Sequence, residues 1–511
     1  MKNLEELKQI VTSNRSKKIP VSLSIDKGTK LFDLFQTISE EGSAKNEQVF
    51  RQLYNSNDTR PFRVLKYRLR EKLLQDAIRI DPAKSLRDQC DVVNQRCWRN
   101  LLLAQMLFLN FKRHAAIDTL RQTMQQAKKF QLTAVLVIAL RTMRYHAAYA
   151  GSTASFEELD KLLKDATKKL SSELLVEELS QRMLLELHHK ISPADAFKKK
   201  SMGILLRVEK IVERFPTFQN HLNLFRIAVR HYEMMKQHRK VLEWCNRAEH
   251  YFDANKHMVQ KGRRAEFALY RMYSSFSLSD FSTGEQCAAE CENLFKAGSD
   301  NWLIFLEYYF LLCMHTGNYT NALKIFYQVS NHPKFKALPA IRIEKWKIYE
   351  AYLNFALPDN LPKLKFNVFK FINEVPMYSR DKSGFNLSIS IAHILLLINL
   401  GKTGDLMQME ESLTAYCNRH LRKGKNHRSY YFMKMILVLL KYNMDYNKSN
   451  QIAAKFLVKL MEGIDEEQTS TEEMEIIPYE KLWDLVQVKL VENEMQRKNE
   501  EKEINERQIR A

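Results

Sequence analysis

Glycine and proline are scarce in this chain, whose 511 residues include only 13 Gly and 11 Pro. Average usage is roughly 7% for Gly and 5% for Pro. Sandwiches, barrels and propellers need many tight turns, and doubly wound folds need Gly-rich phosphate loops, so this shortage argues against both groups. With 45% apolar residues the chain can nevertheless bury a large core. We therefore expect an all-α protein, built either as two or three domains or as one elongated array.

Cysteine is also sparse, and long apolar runs are missing. The seven cysteines are scattered and include no C-x-x-C pair, which favours reduced thiols and a cytosolic compartment. The N-terminus carries acids where a signal peptide would have its apolar segment. The longest apolar stretches, 101–109 and 302–314, fall short of the ~20 residues that a membrane span needs. These features predict a cytoplasmic protein without a membrane span.

Motifs for catalysis and cofactor binding are absent too. No H-E-x-x-H, G-x-S-x-G or G-x-G-x-x-G occurs, so metalloprotease, hydrolase and dinucleotide-binding functions lose their usual support. Gly401-Lys402-Thr403 imitates the end of a P-loop, but Leu396 stands where that motif requires Gly. We predict no enzymatic activity, no cofactor and no metal. An enzyme with an unrecognised all-helical active site is the alternative, because the absence of known motifs from one sequence is weak evidence against catalysis.

Positive charge dominates the body of the chain. Lys and Arg number 80 against 60 Asp and Glu, and the surplus lies before residue 463, because residues 463–511 hold 14 acids and 7 bases. A basic body suits nucleic acid, anionic membranes or acidic protein partners. The alternative is a solvated Lys-rich surface without a specific partner.

A helix, short turn, helix unit recurs along the chain, and residues 301–329 contain its clearest copy. An apolar and aromatic run from Trp302 to Cys313 ends at Gly317, and a second helix begins at Tyr319. A tight reversal between helices commonly requires a positive φ, which Gly adopts at little cost. Ala322 is small, as expected where the two helices approach closely.

This unit resembles a tetratricopeptide repeat, with Gly317, Tyr319, Ala322 and Phe326 at that family's turn and second-helix positions. It departs from the family at Phe310, where a small residue is usual. The resemblance implies that first helices line a concave groove for a protein or peptide. The family's groove positions correspond to Ile304, Glu307, Leu311, Met314 and His315. Glu307 would select a cation on the ligand, and Leu311 and Met314 would supply apolar contacts.

Similar units recur at intervals of 38–45 residues, longer than the 34 of the tetratricopeptide family. The predicted second helices begin at Lys112, Phe156, Phe197, Arg239, Phe281, Tyr319, Leu361, Leu406 and Tyr446. Stacking is favoured because one helix pair cannot bury its apolar face alone. We therefore predict a right-handed α-solenoid of about nine such hairpins over residues 91–462. A set of unrelated helical bundles is the alternative.

The N-terminal block, residues 1–90, offers three helical stretches, at 31–40, 46–54 and about 61–80. On the third, Phe62, Leu65, Leu69 and Leu73 share one side, and the adjoining stripe holds Arg60, Arg63, Lys66, Tyr67 and Arg70. This block resembles in outline the three-helix, helix-turn-helix DNA-binding domains that precede helical repeats in some bacterial regulators. The alternative is an ordinary first repeat with a charged outer face.

A second basic cluster lies near residues 419–430. Its candidate nucleic-acid or anion-binding residues are Arg419, Arg422, Lys423, Lys425 and Tyr430. Cations beside aromatic rings can hold a phosphate backbone and stack on bases. A solvated inter-helix loop is the alternative.

The C-terminal region divides into an acidic loop, 463–477, and a charged helix, 478–511. The helix has an apolar side that fades after Met495. We expect it to cap the array, although a partner-binding or dimerising helix is also possible.

Taken together, these patterns predict a non-catalytic intracellular helical-repeat scaffold that binds a protein or peptide of acidic character through its concave surface. The alternative function is a nucleic-acid-binding transcriptional regulator, with the N-terminal block on DNA and the repeats as a sensor.

Overall fold

The computed structural model describes most of the chain. The described residues are 2–13, 25–26, 28–38, 46–54, 59–81, 83, 86, 88–189, 194–358, 361, 364, 366, 371, 385–421, 427–462 and 475–510. Within them the chain forms 22 α-helices, two short 3-10 helices and no strand. The prediction of an all-α protein is therefore confirmed, and consecutive helices pack as adjacent pairs.

Two compact units divide the residues. Unit 1 comprises Met1–Leu185, Arg207–Leu224 and Tyr251–Gln260, and unit 2 comprises Glu186–Leu206, Phe225–His250 and Lys261–Ala511. The helices up to the middle of the chain are α1 (Lys2–Ser13), α2 (Lys30–Thr37), α3 (Asn46–Leu53), α4 (Arg60–Arg79), α5 (Gln89–Leu109), α6 (Arg113–Lys129), α7 (Thr133–Tyr149), α8 (Thr153–His189), α9 (Ala194–Arg214), α10 (Phe218–Met234) and α11 (His238–Ala254).

The remaining helices all belong to unit 2. They are α12 (Lys261–Ser277), α13 (Phe281–Leu294), α14 (Asp300–Thr316), α15 (Tyr319–Ser330), α16 (Ala340–Ala356), α17 (Phe385–Asn399), α18 (Thr403–Gln408), α19 (Glu410–His420), α20 (His427–Lys441), α21 (Tyr446–Met461) and α22 (Tyr479–Arg510).

The N-terminal block of unit 1 contains the three predicted helices, as α2, α3 and α4. The predicted apolar side of α4 is buried, at Phe62, Leu65, Leu69 and Leu73. Sequence reasoning missed α1, which packs against α4 and places Leu4 and Val11 in the same core. The i, i+3, i+7 spacing of Leu4, Leu7 and Val11 was the available signal.

Most predicted second-helix starts fall at a helix start or up to three residues inside one, as Phe281, Tyr319 and Tyr446 show. The predictions depart from the structure at two places: Leu361 lies outside the described helices, and α8, which begins three residues before Phe156, runs for 37 residues as one helix. Residues 153–189 contain neither Gly nor Pro. Ion pairs between side chains one turn apart, such as Lys164 and Asp160, stabilise the long helix. Nothing in this stretch supplies a turn.

The hairpin of α14 and α15 forms as predicted. Gly317 caps α14 at φ 80° and ψ 12°, in the left-handed region, and Ala322 is completely buried. Phe310, the departure from the tetratricopeptide pattern, packs against Trp346 and Tyr349 of α16, with ring centroids 5.5 and 5.1 Å away. Its large ring therefore fills the space between α14 and α16.

The C-terminal helix α22 packs against α17, α20 and α21 within unit 2. Its buried residues include Leu482, Trp483, Val486 and Leu490. Just before it, Ile476 and Ile477 are also buried, so the apolar side that the sequence predicted covers other helices of the unit. Most of the predicted acidic loop, residues 463–474, lies outside the described residues.

Candidate functional site

An apolar row on α5 faces solvent in unit 1. Trp98, Leu102, Met106 and Leu109 are 46, 57, 54 and 78% exposed, whereas Cys97, Leu101 and Ala104 on the opposite side are buried. The exposed residues are spaced i, i+4, i+8 and i+11, which places them along one side of the helix. Full burial of such a side chain contributes about 1.5–3 kcal/mol to stability. Each of these four exposed side chains could therefore contribute about 1 kcal/mol more if a partner covered it.

A second exposed group lies on the neighbouring helix α7, where Tyr145 and Tyr149 are 55 and 72% exposed. Ring contacts connect it to α5: Phe108 stacks on His146 at 3.5 Å between centroids, and His146 contacts Tyr145 at 5.3 Å. Tyr145 in turn contacts Tyr149 at 4.6 Å. The two exposed rows lie on helices that contact each other and are together called the α5–α7 apolar surface, made of Trp98, Leu102, Met106, Leu109, Tyr145 and Tyr149.

The turn after α5 adds a strained apolar residue. Phe111 adopts φ 60°, a left-handed conformation that costs a residue with a side chain about 1–2 kcal/mol. Its ring is 94% exposed, so the unit gains no packing from it. Phe111 therefore adds an exposed apolar ring two residues after Leu109.

Positive charge predominates along the segment of chain that carries this surface. Residues 92–149 contain nine Lys and Arg but a single acid, Asp118, whose carboxylate accepts a hydrogen bond from Gln122. Arg141 on α7 is exposed and has no ion pair with any described acid. It also lines a pocket together with Tyr145, Ala148 and Phe156, at the edge of the apolar surface.

The groove positions implied by the tetratricopeptide resemblance make intramolecular contacts instead. Leu311 and Met314 are buried in the core of unit 2, and Ile304 is half-buried. Glu307 is ion-paired with Lys345 of α16.

His315, the fifth position, lies against the C-terminal segment of the chain. Its Nε2 donates to the backbone carbonyl of Glu475 at 2.6 Å, and its own carbonyl accepts from Lys481 Nζ at 2.7 Å. Burial lowers the pKa of His315 to about 4, so the ring is neutral at pH 7. A partner would reach this position only after displacement of the residues around Glu475.

The predicted cations of α4 are solvent-facing. Arg60, Arg63, Tyr67 and Arg70 are exposed, and Arg70 forms an exposed ion pair with Glu71. Lys66 is half-buried, with Nζ 4.9 Å from the centre of the Phe62 ring. The structure therefore brings the predicted stripe together on one helix above the core of the N-terminal block.

The second basic cluster is only partly described, since Arg422, Lys423 and Lys425 lie outside the described residues. Arg419 is exposed at the end of α19. Tyr430 lies inside α20 rather than in a loop, half-buried and with Lys434 Nζ 5.4 Å from its ring centre.

Side chains that could bind a metal ion or act as nucleophiles are dispersed through the described residues. They contain no cluster of three or more His, Cys, Asp or Glu that could hold a metal ion. All seven cysteines are buried free thiols, and burial raises the pKa of Cys291 to about 12. Among the described helices, none combines the length and apolar character needed to cross a bilayer.

Comparison with known proteins gives no match: no family model, no curated protein and no solved structure is significantly similar to this chain.

Sequence reasoning missed the α5–α7 apolar surface. The run 101–109 has apolar residues on all sides of the helix, so its periodicity did not reveal which side was exposed. A usable signal was the near absence of acids from residues 92–149.

Proposed function

We propose that this protein is a non-catalytic helical scaffold that binds another protein through the α5–α7 apolar surface. The observation that carries the proposal is the exposure of Trp98, Leu102, Met106 and Leu109 in one row on a well-packed helix. Exposed apolar surface of this extent on a soluble unit is typical of protein-interaction sites. The helix pairs around it would be tetratricopeptide-like repeats, in which α5 and α7 are successive first helices.

Site-specific photo-crosslinking tests this function. A photoreactive residue at Leu102 should join the protein to a recurrent partner in cells, because the surface would be covered in the complex. The matched control is Val458 on α21 of unit 2, an apolar residue 58% exposed. Crosslinking at Leu102 should disappear when Met106→Asp is added. The same set of crosslinked species at both positions, or none at Leu102, would contradict the proposal.

A second candidate function is nucleic-acid binding by the N-terminal block, favoured by the exposed row of Arg63, Tyr67 and Arg70 on α4. Binding to a DNA duplex or single strand should then weaken steeply with added salt. Replacement of Arg63, Lys66 and Arg70 by Ala should abolish it. No retention on heparin or DNA at ~0.1 M salt would exclude this function.

A further inference from the structure

We propose that the α5–α7 apolar surface binds an acidic amphipathic helix of another protein. This inference rests on the proposed function, because it names the class of partner that the same surface takes. Three features of unit 1 support it: the spacing of the exposed row, the sign of the surrounding charge and the aliphatic character of the central residues.

The spacing of the row fits a helix. Trp98 and Leu109 are 11 positions apart, or about 16 Å at 1.5 Å per residue, which equals about three helical turns. A partner helix with apolar residues at i, i+3 or i+4, and i+7 would match it and lie beside Tyr145 and Tyr149. A peptide that binds by strand addition would need a sheet edge, and the described part of the chain contains no strand.

The charge around the row fits an acidic partner. Helix α7 carries Arg141 and Arg144 and no acid, and Lys112 lies exposed in the turn beside Phe111. Arg144 is already paired with Asp160, which leaves Arg141 and Lys112 as exposed cations without an ion pair to any described acid. Carboxylates on the flanks of a docked helix would complement these cations and speed association.

Two other occupants fit less well. A second copy of this chain would bring the same cations face to face, which is unfavourable in a symmetric dimer. Single-stranded nucleic acid would stack its bases on exposed rings, whereas Leu102, Met106 and Leu109, half of the residues of the surface, offer none.

Fluorescence polarisation with designed peptides tests the inference. The probe is a fluorescein-labelled 18-residue helical peptide with Leu at each third or fourth position and Glu at most others. Its matched control carries Lys in place of each Glu. The full-length protein should bind the Glu peptide at least tenfold more tightly than the Lys peptide. A rise from about 0.05 to 0.5 M salt should weaken binding, since the cations are solvent-exposed.

Variants connect that binding to the surface. Leu102→Asp and Met106→Asp should each weaken binding of the Glu peptide at least tenfold, and Arg141→Glu should weaken it severalfold at low salt only. Val458→Asp and Lys324→Glu, both at exposed positions in unit 2, should bind as the parent does. Because all these side chains are exposed, unchanged thermal melting checks that each variant folds.

Several results would overturn the inference. Equal binding of the Lys peptide would refute the acidic class, and self-association that Leu102→Asp abolishes would identify a second copy as the occupant. Displacement of the peptide by a single-stranded oligonucleotide, with tighter binding of the oligonucleotide itself, would identify nucleic acid. If crosslinking at Leu102 captures a partner but the Glu peptide fails to bind, only the assignment of an acidic helix as the partner is refuted. If neither the crosslinking nor the peptide binding is observed, the proposed function is refuted as well.

Discussion

Arg428 and Glu475 form a two-point ion pair that holds the start of the C-terminal segment in unit 2. Arg428 Nε donates to Glu475 Oε1 at 2.6 Å and Nη2 donates to Oε2 at 2.9 Å, while Nη2 also reaches Glu480 at 2.5 Å. The backbone N–H of Tyr479 donates to Glu475 as well, at 3.0 Å. Burial raises the pKa of Glu475, although the hydrogen bonds from Arg428 act in the opposite direction.

Removal of one partner of this pair should release the segment. Arg428→Met leaves the Glu475 carboxylate buried without its cation, and breaking a buried pair costs about 3–5 kcal/mol. We expect a lower denaturation midpoint and faster proteolysis near residue 475. Arg419→Met, at an exposed position, is the control. The double variant Arg428→Met, Glu475→Leu should recover part of the loss, and an unchanged midpoint in the single variant would refute the structural role of the pair.

His315 should make the stability of unit 2 fall in acid. Its pKa is about 4 in the folded protein, against an ordinary value of 6.5, because burial disfavours the charged ring. Between these values the unfolded chain binds a proton that the folded protein does not, so stability is lost as the pH falls from 6.5 to 4. The loss is about 3 kcal/mol for a shift of this size.

His315→Gln tests this dependence, since the amide still donates a hydrogen bond but does not titrate. Urea denaturation at pH 7 and pH 4.5 should show a smaller difference between the two pH values in this variant than in the parent. His114→Gln, at an exposed position in unit 1, should leave the difference unchanged. An equal acid response in the parent and in His315→Gln would contradict the prediction.

Substitution by alanine should have opposite effects on stability at Gly317 and at Gly203. Gly317 has φ 80°, so Ala there suffers backbone strain of about 1 kcal/mol although no atom lies within 4 Å of the added Cβ. Gly203 lies inside α9 with equally open space, so Ala should stabilise the helix by about 0.5–1 kcal/mol. Thermal melting should therefore show a lower Tm for Gly317→Ala and a higher one for Gly203→Ala. Shifts of the same sign would refute the assigned backbone geometry.

Glu173 should make unit 1 less stable as the pH rises. The side chain is buried on α8 and accepts a hydrogen bond from Thr133 Oγ1 at 2.8 Å, and burial raises its pKa above the ordinary value. A raised carboxyl pKa means that the folded protein keeps a proton that the unfolded chain releases, so stability falls as the pH rises through the raised pKa.

Glu173→Gln should remove this cost. The amide oxygen can still accept from Thr133, so we expect Glu173→Gln to be more stable than the parent at pH 7.5 and this gain to shrink as the pH falls toward 4. Denaturation curves at the two pH values measure the gain. The control is Glu178→Gln, at an exposed site on the same helix, which should show no such gain. A destabilising effect of Glu173→Gln at pH 7.5 would show that the carboxylate is needed.

The helical class and the positions of the most regular elements follow from the sequence alone. A chain with few Gly and Pro can form few tight turns, which favours helices. Gly317 correctly indicated a reversal between two helices, because only Gly adopts φ near 80° at low cost. The buried side of α4 followed from its 3.6-residue period, because charged residues occupy most of the other positions of that helix.

Which helix surfaces are exposed to solvent depends instead on how the helices pack against one another. Helix α5 is apolar on several sides, so nothing local distinguishes buried Leu101 from exposed Leu102; the packing of α6 and α7 against one side makes that choice. Likewise Leu311 and Met314 have a sequence pattern that fits a groove, and neighbouring helices bury them. The pairing of Arg428 with Glu475 spans 47 residues, and no spacing rule predicts it, because the fold of unit 2 brings the two side chains together.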